Sequence, residues 1–120
     1  MKLNIIATTI LLILDILWLK LFMGPRYTIM VKKIQNSEMK VNFISALISY
    51  TLMVYLLNNV VIKYNLSNLE TFLFGIGLYG VYDFTAGAVF KNWDFKLAII
   101  DILWGGFVYF ISVYLAKKFL

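Results

Sequence analysis

Four long apolar runs, separated by short connections, decide what this chain can fold into. They cover about residues 3–22, 41–62, 71–90 and 97–116, each close to the roughly 20 residues that a helix needs to cross a bilayer. A closed β-barrel would instead need segments of alternating character. Stretches such as Ile10-Leu11-Leu12-Ile13-Leu14 do not alternate. The reading is an all-α integral membrane protein, one four-helix bundle formed by residues 1–120.

Composition excludes the other classes. The chain is 62% hydrophobic and 14% charged, against about 25% charged in soluble domains. A soluble domain this short could not bury that much apolar side chain. It has no Cys and no His, which removes a disulfide scaffold and metal or nucleophile chemistry built on those residues. The sequence implies no cofactor and no metal site. Lys2 before an apolar run resembles a signal peptide, but Asp15 interrupts the run and no small-residue cleavage site follows, so the segment reads as an uncleaved span.

The connections carry local signals. Ser67-Asn68-Leu69-Glu70 is a capping box for the third helix, and Asp94 can cap the fourth. Gly24-Pro25 opens the longest connection with an expected break. After it, Tyr27, Met30, Val31 and Ile34 fall at helical spacing, with Arg26, Lys32 and Lys33 on the other side. That pattern suggests a short interfacial helix on the membrane surface; an irregular basic loop is the alternative. Lys20, Arg26, Lys32, Lys33, Lys40, Lys91 and Lys96 share one side, against Lys2, Lys63, Lys117 and Lys118 on the other. The imbalance favours the long connection in the cytoplasm and both termini on the non-cytoplasmic side. The net charge of +5 then reads as contact with lipid headgroups, with no nucleic-acid partner. Asn65-Leu66-Ser67 matches a glycosylation sequon, but so close to the bilayer it reads as a chance match.

Three acids lie inside the runs: Asp15, Asp83 and Asp101. Ionisable residues at such depth face the bundle interior or water rather than lipid. At 1.5 Å per residue, Asp15 and Asp83 lie roughly 10 Å, and Asp101 roughly 6 Å, below the surface that holds the long connection. Asp15-Ile16-Leu17-Trp18 recurs as Asp101-Ile102-Leu103-Trp104, and a spacing of three puts Asp and Trp on one helical face. In antiparallel helices each indole could donate to the acid of the other. The competing reading makes Trp18 and Trp104 interfacial anchors. Gly80, Gly87 and Gly105 flank the acids and suit close helix packing. Tyr82, Thr85, Thr8 and Thr9 are further hydroxyl donors, unless their own backbone takes them up.

Together, Asp15-Ile-Leu-Trp-Leu, Tyr82-Asp83-Phe-Thr85 and Asp101-Ile-Leu-Trp104-Gly105 resemble the signature of a family of small four-span bacterial membrane proteins, known only as a domain of unknown function. The resemblance covers nearly the whole chain. Ala86 stands where the motif in the third span usually continues with Asn, so no role of that amide carries over. The resemblance implies the four-span architecture and the same acids, but no reaction.

The candidate ligand-binding or ion-binding residues are thus Asp15, Asp83 and Asp101 with Trp18, Trp104, Tyr82 and Thr85. Clustered acids suit proton-coupled transport of a cation or small molecule. Small multidrug-resistance transporters resemble this chain in size and in the place of one acid, but in no other landmark. An accessory subunit, with the acids as a packing network or paired with a partner, is the alternative. An enzyme is the weaker reading: a lipid-modifying enzyme would want an acidic-basic motif that does not appear, and Tyr82-Asp83 is similar to one motif of intramembrane aspartyl proteases, but Asp101 lacks their Gly-x-Gly-Asp context. A chain this short would need a second copy, or a larger membrane partner, to enclose a pathway.

Overall fold

The computed structural model describes residues 1–37 and 42–120, and all regular structure among them is helical. Lys40 and Val41, expected in the long connection and at the start of the second span, lie outside the described residues. Helix α1 (Lys2–Trp18) passes through a π-turn (Leu19–Met23) into α2 (Gly24–Gln35). Helix α3 (Phe43–Leu56) ends in a second π-turn (Leu57–Ile62). Helices α4 (Asn68–Val89) and α5 (Phe95–Lys118) complete the bundle. Four helical segments are long and apolar enough to cross a membrane.

The helix starts follow local side-chain chemistry. Ser67 Oγ accepts from the Glu70 amide at 3.1 Å, and Glu70 Oε1 accepts from the Ser67 amide at 2.9 Å, which is the expected capping box. Asp94 Oδ1 accepts from the amides of Lys96 and Leu97. Asn42 Oδ1 does the same for α3, taking the Ser45 amide at 3.1 Å. The expected break at Gly24-Pro25 does not interrupt the backbone. Met23 and Gly24 keep right-handed helical torsions, and the Gly24 amide reaches the Leu19 carbonyl. The wider π-turn absorbs the missing proline donor while the chain stays helical.

Helix α5 lies at the centre. Its buried residues run its whole length, from Ala98 to Ala116, and it packs against both α4 and α1. Ala7 and Leu11 of α1, Leu57 and Val61 of the second π-turn, and Val108, Tyr109 and Val113 of α5 form the apolar core. Many other large apolar side chains point outward, including Ile44, Leu47, Ile48 and Leu52 along one side of α3. In a bilayer these face lipid. Lipid is as apolar as they are, so burial alone does little to hold the helices together, and small-residue contacts and hydrogen bonds carry the association.

Glycine supplies the closest approach. A Cβ at Gly75 would collide with the backbone of Gly105 and Gly106, so α4 and α5 cross at this point backbone to backbone. Of the glycines marked for packing, Gly105 is required: a side chain there would run into the ring of Tyr79. Gly87 meets Phe95 and Trp93 near the α4–α5 connection. Gly80 makes no comparably close approach. An added methyl would meet only Ile102 Cδ1, at 3.9 Å, an ordinary van der Waals contact.

Candidate functional site

Asp15 is 4% exposed, Asp83 0% and Asp101 5%. Their partners divide them into a hub and a pair.

Asp15 is the hub. Its Oδ1 accepts from Tyr79 Oη of α4 at 2.6 Å and from Trp104 Nε1 of α5 at 3.0 Å. Its Oδ2 accepts from Tyr50 Oη of α3 at 2.8 Å. One carboxyl group on α1 therefore receives a donor from each of the other three spanning helices. Three donors on a buried carboxylate compensate much of the cost of removing it from water. Gly105 has a part in this: without a side chain, it lets the Tyr79 ring lie against α5 with its hydroxyl directed at Asp15.

Asp83 and Asp101 form the pair. Their carboxyl groups lie within hydrogen-bonding reach of one another. Tyr27 of α2 donates to Asp83 Oδ1 at 3.0 Å, and Trp18 Nε1 of α1 donates to Asp101 Oδ1 at 3.1 Å. Asp83 Oδ2 is buried and receives no donor from any described protein group. The two acids can satisfy each other only with a proton between them, since two acceptors in contact repel.

The repeated Asp-Ile-Leu-Trp segments meet reciprocally: Trp18 donates to Asp101, and Trp104 to Asp15. The two indoles stack with centroids 4.5 Å apart and planes 5° from parallel. Trp18 also stacks on Phe22, and Trp104 leans on Phe107. These tryptophans thus sit between the hub and the pair, with their N–H groups committed to carboxylates. Trp18→Phe and Trp104→Phe each remove a donor and part of the stack, so their costs should be non-additive. A double-mutant cycle on thermal unfolding in micelles should give a coupling of about 1 kcal/mol; a coupling near zero would mean that the stack contributes nothing.

The remaining candidates fall elsewhere. Tyr82 is 60% exposed and Thr85 is exposed, whereas Asp83 of the same motif is fully buried. Thr9 bonds back to the Ile5 carbonyl at 2.8 Å, and Thr8 accepts from Asn58 Nδ2 at 2.9 Å. Arg26, Lys32 and Lys33 are exposed on α2. Arg26 donates to the Phe22 carbonyl, and its guanidinium lies 3.8 Å from the Phe22 ring centroid. The donors that sequence reasoning missed are Tyr27, Tyr50 and Tyr79. Only Tyr79 carried a signal, one turn from Asp83 on the same helical face.

The model of a family described as predicted membrane protein, DUF2177, matches residues 1–116. The chain belongs to the DUF2177 family. The match contains both halves of the Asp/Trp exchange and all three buried acids. Neither the curated proteins nor the solved structures yield a match to it. The chain is therefore an integral membrane protein of a family without an assigned reaction.

Proposed function

We propose that the Asp83–Asp101 pair is a proton-binding site, and that the chain serves proton-coupled transport of a cation or small molecule. The observation that carries this reading is the buried Asp83 Oδ2, which has no donor among the described residues although it lies beside a second acid. An oxygen that meets a second acid through an exchangeable proton can trade that proton for a cation. Asp15 accepts from one donor on each of the other three spanning helices, so its role is to hold the bundle together, as an interhelical network would. Tyr27 supports a gating element: it brings α2 over the end of the bundle and onto Asp83, while its ring stacks near Trp93 at 6.0 Å. Four spans are few to enclose a pathway, so the reading includes a second copy of the chain. The positive side of the chain favours the long connection in the cytoplasm.

The Cys-free sequence makes the test direct. Single cysteines at Ala86 and Ala98, one turn from Asp83 and Asp101, should react with a membrane-impermeant maleimide from the side of the long connection. A cysteine at Ser37 should react from the cytoplasm. Adding tetraphenylphosphonium to purified protein in weak buffer should release protons, and Asp83→Asn should abolish the release. Unreactive cysteines together with unchanged proton release in Asp83→Asn would sink the transport reading and leave a packing network. Co-purification with a stoichiometric larger membrane protein would favour the accessory role.

A further inference from the structure

At the end of the bundle that holds the long connection, a groove of about 410 Å³ lies between α2 and the start of α5. Arg26, Ile29, Met30 and Lys33 of α2 form one wall, and Asn92, Asp94 and Leu97 form the other. Its position follows from two contacts that hold α2 there: Tyr27 reaches down to Asp83, and the Asp94 amide donates to Met30 Sδ at 3.2 Å. The groove is amphipathic. Ile29, Met30 and Leu97 offer an apolar surface, while Arg26, Lys33 and Asn92 offer donors.

We infer that this groove binds the headgroup of an anionic phospholipid, with the phosphate between Arg26 and Lys33. Charge decides the class of ligand. The one acid among the described residues that line the groove, Asp94, already accepts from two amides at the start of α5, so its charge is engaged by the helix end. Arg26 spends one donor on the Phe22 carbonyl and keeps the others available. Lys33 is exposed on the next turns of the same helix. Lys91 and Lys96 stand exposed in the adjoining segment and add to the positive field. Position decides between a lipid and free phosphate. The groove lies where α4 ends and α5 begins, at the level where headgroups sit, and its apolar residues give the acyl chains a surface to follow. Basic pockets between helices at this level suit anionic headgroups. The inference is independent of transport, since it concerns a surface groove and not the buried acids.

The test is retention of phosphatidylglycerol against phosphatidylcholine by the full chain, extracted into mixed micelles of equal composition and read by native mass spectrometry. The wild type should keep phosphatidylglycerol at least threefold over phosphatidylcholine. Arg26→Gln with Lys33→Gln should erase that preference, while Lys117→Gln with Lys118→Gln, at the opposite end, should leave it intact. Should the first double variant aggregate, Lys33→Gln alone serves, because that side chain is exposed; it should halve the preference. Equal retention of both lipids by the wild type would overturn the inference. So would an equal loss from the Lys117 and Lys118 variants, or full displacement by millimolar inorganic phosphate.

Discussion

Replacing Asp15 by leucine should be among the most damaging single changes in the chain, and replacing it by asparagine should be mild. Leucine fits the apolar surroundings and removes a charge, which on hydropathy alone would stabilise a membrane helix. But it leaves Tyr50, Tyr79 and Trp104 with buried donors and nothing to accept them. Each orphaned donor costs about 1–3 kcal/mol in a protein interior, and interhelical hydrogen bonds in membranes average nearer 0.6 kcal/mol. A combined loss of about 2–4 kcal/mol is expected, because the three donors come from three helices and cannot all find new partners locally. Asparagine keeps an acceptor oxygen for Tyr79 and Trp104, and Tyr50 can turn its hydroxyl to accept from the amide. Thermal unfolding in micelles should place Asp15→Asn near the wild type and Asp15→Leu far below it. Equal effects would mean that the charge itself, rather than the set of bonds, carries the stability.

A comparably large effect is expected from one added methyl group at Gly75. That carbon would overlap the Gly105 carbonyl and the Gly106 Cα. Backbone cannot rotate away as a side chain can, so α4 and α5 must separate. Because α5 is the central helix, separation also draws Trp104 away from Asp15 and loosens Tyr79 from its place over Gly105. Gly75→Ala should lower stability by about 2–3 kcal/mol, within the range for overpacked cores. Gly77→Ala is the control: nothing lies within 4 Å of its added carbon, so the better helix propensity of alanine should leave it neutral or up to about 1 kcal/mol more stable. Gly80→Ala should behave like the control. If Gly75→Ala and Gly77→Ala unfold together, the crossing is not where the structure puts it.

Much of this molecule was legible in the sequence, for physical reasons that differ from residue to residue. The spans follow from length and apolarity, because a bilayer imposes its thickness on any helix that crosses it. The caps at Ser67, Glu70 and Asp94 are local, so neighbouring residues sufficed to find them. The Trp18–Asp101 and Trp104–Asp15 exchange was legible because the repeat fixes depth and an antiparallel pair fixes direction. The tyrosines were not. The chain has eight, and which of them turn inward depends on how each helix is rotated about its axis. Runs that are apolar all round hold little record of that rotation. Tyr50 is harder still, since no acid marks the inner face of its helix. The glycines posed the same difficulty: Gly75 and Gly80 look alike in sequence, and only the crossing point separates them. The two π-turns add one residue to a turn without changing composition, so they left no signal. They do shift the face that follows, which is how Tyr27 comes to lie over Asp83 beyond an apparent helix breaker.

The central claim is that Asp83 and Asp101 hold a proton between them, while Asp15 is held by donors from three helices. Infrared spectroscopy of the reconstituted protein at neutral pH reads this directly, through the carbonyl stretch of a protonated carboxyl group. A band in that region should be present in the wild type, absent in Asp83→Asn and in Asp101→Asn, and retained in Asp15→Asn. A wild-type spectrum without the band, or a band that disappears only with Asp15→Asn, would contradict the account.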